Sequence, residues 1–159
     1  MIEQRILELI LPGSTLDLGC GDKKFSPDNA VTIDAWEGCE PDYQLDIGTE
    51  SLPFPKGSFD NVLMIDVIEH MPRLEGYHAL KEAKRVCKGR VIIFTPLVWD
   101  DNQKNIEDVS RPAYYQNPHN LHKSLWALTD FLGWVDVDVT NMWYLGYWEQ
   151  VNHQKGGVI

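Results

Sequence analysis

An open, doubly wound α/β sheet is the architecture this sequence predicts, on three observations. Short apolar runs of strand length recur along most of the 159 residues, separated by turn signals or helical stripes. The first run, residues 14–18, breaks on Gly19-Cys20-Gly21, a strand running into a glycine turn. Two later runs carry an acid at their carboxyl ends, Asp34 and Asp46, at the edge where parallel sheets hold nucleotide-like ligands.

Taken in order, Ile2, Ile6, Leu9 and Ile10 fall on one stripe, so residues 2–11 read as an amphipathic helix stopped by Pro12-Gly13. Residues 14–18 form a strand covered on both faces, and the missing Cβ atoms of Gly19 and Gly21 let the chain turn sharply against a ligand. Residues 22–30 are short for a crossover helix and contain Pro27, so the first crossover helix is reduced to one or two turns at most. Strands follow at 31–35 and 43–47. Two prolines and a glycine make 52–58 a loop, and the apolar run 59–65 is a buried central strand.

Tyr77, Leu80, Ala83 and Cys87 put one buried stripe on a helix over 74–88, with Gly89 as its C-cap. A fifth strand spans 90–95 and stops at Pro96. Residues 97–123 show no period and hold Tyr114, Tyr115, His119 and His122; segments of this kind in compact domains are commonly functional. Ser124 caps a helix through Leu132, and alternating Val135, Val137 and Val139 pair with 142–147 as a hairpin. The sheet is therefore seven-stranded and mostly parallel, with an antiparallel last strand. Residues 1–151 form one domain, and 152–159 a C-terminal tail.

Composition narrows the function. The chain has 24 acids against 14 Lys and Arg, a formal net charge of −10, which repels a phosphate backbone and argues against a nucleic-acid partner. Three cysteines without paired spacing indicate neither a disulfide framework nor a zinc site, and place the chain in a reducing, cytoplasmic setting. The apolar run 6–11, interrupted by Glu8, is too short for a membrane span.

Several segments, in order, resemble a known family. Leu16-Asp17-Leu18-Gly19-Cys20-Gly21 resembles the first, cofactor-binding motif of class I S-adenosylmethionine-dependent methyltransferases. Residues 52–60 resemble their LPFxxGSFD segment, 66–71 their VLEH segment, and 80–89 the end of their LxExxRVLKPGG helix. The likeness is to the large methyltransferase-11-like group with ubiquinone-pathway-like members. Gly-Cys-Gly-Asp-Lys-Lys-Phe also resembles methyltransferases of cell-surface polysaccharide assembly. Two positions depart from the pattern: Lys23 replaces the third glycine, and the helix-ending Pro-Gly-Gly is reduced to Lys88-Gly89.

The resemblance implies a Rossmann-like fold and S-adenosylmethionine as cofactor. Carried over position by position, it implies that Gly19, Cys20 and Gly21 shape the cofactor turn. Asp34 and the adjoining Ala35 meet the ribose, and Asp17 meets the ammonium or steadies the turn. Asp46 and Ile47 meet the adenine edge, and Ile65 and Asp66 hold the amino acid. Transfer is a direct in-line displacement that needs alignment and exclusion of water, with no obligatory nucleophile or metal. Where the acceptor needs a base, His119 and His70 are the candidates, with His122 nearby and Tyr114, Tyr115, Trp99 and Trp143 as pocket walls. The acceptor is a small molecule or glycan intermediate.

Two other functions compete. A nicotinamide-dependent oxidoreductase needs a third glycine where Lys24 stands and an acid about 20 residues on, whereas Asp34 follows Gly21 by thirteen. A noncatalytic module keeping the fold as a scaffold would show no cofactor binding; Lys23 and the reduced first helix are its supporting features.

Overall fold

The computed structural model describes residues 1–150, except for the side chains of Ala113 and Tyr114. The tail expected at 152–159 and the Tyr114 side chain lie outside the described residues. Helix α1 (Ile2–Leu9) is followed by strands β1 (Thr15–Leu18), β2 (Val31–Asp34), β3 (Tyr43–Gln44) and β4 (Phe59–Ile65), helix α2 (Arg73–Val86) and strand β5 (Cys87–Pro96). Helix α3 (Gln103–Glu107) and several 3-10 turns lead to β6 (Val135–Val139) and β7 (Trp143–Glu149). The sheet order is β3-β2-β1-β4-β5-β7-β6. The first five strands pair in parallel, whereas β7 runs antiparallel to both β5 and β6.

Alternation along the strands divides the core between the two faces of the sheet. Leu16 and Leu18 of β1, with Val62 and Met64 of β4, pack beneath Ala79, Leu80, Ala83 and Val86 of α2. Leu63, Ile65 and Ile92 face the other way, against Ile6 of α1. Burying a side chain such as Leu80 or Val86 contributes about 1.5–3 kcal/mol, so the stripe on α2 sets how that helix lies. Asp17 is on the α1 side of β1, opposite its leucine neighbours.

The crossover from β1 to β2 contains no helix and runs as successive turns, with Lys23, Ser26 and Ala30 amides bonding to carbonyls three residues back. Pro27 and the shortness of the link leave room for nothing longer. Strand β3 stops at Gln44, short of the expected residue 47. Asp46 instead caps a turn, its carboxylate accepting the Gly48 amide at 3.0 Å.

Three other expectations need correction. Tyr77 is 44% exposed rather than core; its ring meets Trp126 edge-on and its hydroxyl donates to Asp130. Gly89 lies within β5, not at a helix end, and a Cβ there would stand 2.2 Å from the Asp60 carbonyl oxygen. Its role is close approach of β5 to β4. The helix expected over 124–132 is only a 3-10 turn, Leu128–Phe131. Ser124 Oγ and Trp126 Nε1 both donate to the Ile68 carbonyl at 3.2 Å, which draws this segment onto the sheet's α2 side and leaves Trp126 1% exposed. That tertiary anchorage outweighs a weak local helix preference.

Candidate active site

A cavity of about 700 Å³ opens at the carboxyl ends of β1, β2 and β4. Its wall includes Asp17, Gly19, Cys20, Gly21, Asp34, Ala35, Asp46, Ile47, Ile65 and Asp66, and also His70 and His119. All ten residues expected at the cofactor, and both expected bases, therefore border one space.

The glycine turn forms its floor. Gly19 (φ 71°) packs so closely on Val67 that a Cβ would meet it at 2.7 Å, while at Gly21 (φ 48°) a Cβ would meet nothing within 4 Å. One glycine is demanded by packing, the other leaves the backbone open to the cavity. Asp34, 8% exposed, ties the turn to β2: one carboxylate oxygen accepts the Gly21 amide at 3.1 Å and the other the Trp36 amide at 2.9 Å. The carboxylate, which the Cys39 thiol also contacts, keeps lone-pair capacity for a hydroxyl donor.

Lys23, at the position of the missing third glycine, adopts φ 60°, a conformation that favours glycine. Its ammonium donates to the Glu40 carbonyl at 2.6 Å, and the residue is not on the cavity wall. The cation is thus led away from the site.

Asp17 is 3% exposed and accepts a hydrogen bond from Ser26 Oγ, which pins the helix-less crossover to β1. Burial pushes its pKa up to about 6, and the nearby Asp34 charge adds to the rise. The Cys20 thiol is pushed up to about 12, first by burial, so it is not a thiolate nucleophile at neutral pH. At the end of β4, Asp66 takes φ 52° while its amide donates to the Phe94 carbonyl at 2.9 Å. The Asp66 side chain is open to the cavity, yet the surrounding walls raise its pKa to about 6.

The β4–β5 end of the cavity is built from Glu69, His70 and the segment after β5. Glu69, absent from the sequence expectations, is 1% exposed. Thr95 Oγ1 donates to its Oε2 at 3.1 Å, and its backbone carbonyl accepts the amides of Lys123 and Ser124. Burial, with the Asp66 charge beside it, holds its carboxyl well above the usual range. Its only sequence signal is its place beside His70 in Asp66-Val67-Ile68-Glu69-His70. The His70 ring stands edge-on to His122, with centroids 4.9 Å apart.

His119 is exposed on the 3-10 turn Pro118–Asn120, whose start is capped by Asn117 accepting the His119 amide. Tyr115 and Trp143 line the cavity as expected, but Trp99 does not and is 57% exposed. The wall is strongly acidic: Glu3, Asp17, Asp22, Asp34, Asp46, Asp66, Glu69, Glu75 and Asp100 stand against Lys24 and Lys123. Such a wall attracts cationic ligands. Among the described residues no helix is long and apolar enough to cross a membrane.

Solved structures share this architecture. A protein from Pyrococcus horikoshii is 22% identical over 93% of this chain and 87% of its own, with a TM-score of 0.63. A SAM dependent methyltransferase from Archaeoglobus fulgidus is 14% identical over 94% and 93%, with a TM-score of 0.63. Another from Aquifex aeolicus is 16% identical over 94% and 89%, at 0.57. At such identities the likeness carries the fold. No curated protein matches the chain. A family model described as a methyltransferase domain matches residues 16–95, half of the chain, from β1 through the glycine turn and Asp34 almost to the end of β5. With its own glycine turn, acids and strand order in place along that stretch, the chain belongs to the methyltransferase domain family.

Proposed function

We propose that residues 1–151 act as one S-adenosylmethionine-dependent methyltransferase domain that methylates a small molecule or glycan intermediate. The observation that carries this is convergence: ten residues matched to the family's cofactor positions border one acid-walled cavity. The cofactor is a cation with a ribose diol, an adenine and an amino acid, and the wall offers mainly acceptors. Asp34, already oriented by the Gly21 and Trp36 amides, takes the ribose hydroxyls beside Ala35. Asp46 and the Ile47 amide take the adenine edge. Asp17 steadies the turn through Ser26 and faces the ammonium. The Asp66 amide is already given to Phe94, so acceptor groups are what the Ile65-Asp66 strand end offers the amino acid.

Bound S-adenosylmethionine supplies an electrophilic methyl group on a sulfonium. The chain's own work is to align the acceptor, exclude water with Tyr115 and Trp143, and receive a proton where the acceptor must lose one. His119, exposed at the cavity wall, is the assigned base; His70, half-buried and facing His122, is the alternative. The same acidic wall disfavours nucleic acid as acceptor. Three free, buried cysteines suit a reducing cytoplasmic location.

Calorimetric titration with S-adenosylmethionine, S-adenosylhomocysteine and, as control, NAD tests the reading. Saturable binding of the first two alone supports it. No binding of either by folded protein would leave a noncatalytic scaffold instead.

A further inference from the structure

We propose that Glu69, His70 and His122 form a binding site for a divalent cation of the zinc class at the β4–β5 end of the cavity. One donor atom from each residue lies within 4.8 Å of the other two, and all three residues are on the cavity wall. Ligands about 2.1 Å from a tetrahedral ion stand roughly 3.4 Å apart, so each pair of donors within 4.8 Å would have to close by about 1.4 Å at most. Two imidazoles and one carboxylate are a donor set suited to zinc and its first-row neighbours.

The second observation is unsatisfied polarity. Glu69 Oε1 and His70 Nδ1 are both buried without a hydrogen-bond partner among the described residues, and the whole of Glu69 is 1% exposed. Thr95 serves only the other carboxylate oxygen. A buried polar atom left unpaired costs about 1–3 kcal/mol, and here two such atoms sit in one cluster of electron-pair donors. A cation held by the three residues would give this polarity a partner. The carboxylates of Asp100 and Asp101 lie near His122, as acids commonly do behind a ligating imidazole.

The ion would keep a face toward the cavity, where it takes a hydroxyl oxygen of the acceptor and lowers that group's pKa. Only this last role rests on the methyl-transfer reading. In it, the acceptor proton leaves to His119 or solvent, an oxygen lone pair forms the new bond to the methyl carbon, and the electrons of the broken carbon–sulfur bond stay on sulfur.

The test is titration of chelator-stripped protein with ZnCl2 by calorimetry and with CoCl2 by visible absorption. One saturable equivalent is expected, with cobalt d–d bands free of thiolate charge transfer. The His70→Ala/His122→Ala pair should weaken binding by more than about 100-fold, beyond what loss of a residue that only hydrogen-bonds a ligand costs. Glu69→Gln, which keeps the side chain's shape and a partner for Thr95, should weaken it as well, with thermal melting confirming that each variant is folded. Absence of saturable binding, unchanged affinity in the folded double variant, or a cobalt–thiolate band would overturn the site. Asp34→Ala should lose S-adenosylmethionine but keep the ion, so failure of the cofactor reading and failure of the metal site are separately visible.

Discussion

The two ends of the cavity are built in opposite ways. At the β1–β2 end polar groups are mutually satisfied: Asp34 holds two backbone amides, Ser26 holds Asp17, and the Gly19 and Cys20 amides bond to the Ile33 carbonyl. At the β4–β5 end Glu69 Oε1 and His70 Nδ1 are buried and unpaired among the described residues, and the covering segment holds only the five-residue helix α3 and short 3-10 turns. The family match takes in the first end together with Glu69, His70 and Thr95, and leaves out the covering segment that carries His122. One end is thus finished by local backbone and turn chemistry, whereas the other relies on side chains brought together across the fold.

That contrast can be broken at either end. The largest effect is expected from His119→Ala, which on an identified acceptor should lower turnover by about 10²–10⁴-fold, the usual worth of a positioned base; full turnover would remove His119 from the chemistry. Asp34→Ala should weaken S-adenosylmethionine binding by about 100-fold or more, since hydrogen bonds to a charged group contribute roughly 1.5–3 kcal/mol each. Unchanged affinity in titration would mean that the ribose is held elsewhere.

Smaller effects sharpen the account of the glycine turn. Gly19→Ala combines a positive φ with a collision on Val67, and should destabilise the fold by about 2–3 kcal/mol in denaturant unfolding. Gly21→Ala meets open space and should cost only the conformational strain, about 1–2 kcal/mol. Equal losses would show that packing on Val67 is not what separates the two glycines.

Asp17 gives a pH signature. Its folded pKa of about 6 lies above its ordinary 3.8, so the native state holds the proton more tightly than the unfolded one. Its contribution therefore favours folding below pH 3.8 and disfavours it progressively as pH rises to 6, by up to about 3 kcal/mol at 1.36 kcal/mol per unit. Asp17→Asn should remove that fall and raise stability at pH 7. In cofactor binding the sign reverses, because an ammonium partner prefers the carboxylate: affinity should rise by at most about tenfold per pH unit toward 6 and level off above it. A flat profile between pH 5 and 7 would take Asp17 away from the ammonium.

How much was legible in the sequence follows the same division. The glycine turn, Asp34 and the strands of the sheet could be read because turn conformation and strand burial are written in adjacent residues. Ser124 to Leu132 could not: its helical pattern is overridden by Ser124 and Trp126 bonding to Ile68, a partner more than fifty residues earlier. Gly89 looked like a helix cap because its contact with Asp60 comes from a neighbouring strand. Glu69 had one local mark, its place beside His70 in the 66–71 segment, but its burial, its bond to Thr95 and its nearness to His122 arise only on folding.

The sheet, the glycine turn and the acids along it were readable from adjacent residues, because they depend on short-range backbone preferences and on the two-residue alternation of buried strands. Tertiary packing decided how residues 97–134 would settle, with no helix longer than the five-residue α3, and that Glu69, His70 and His122 would meet. Side chains so far apart in the chain meet through packing of the whole core, and no local pattern records where that packing brings them.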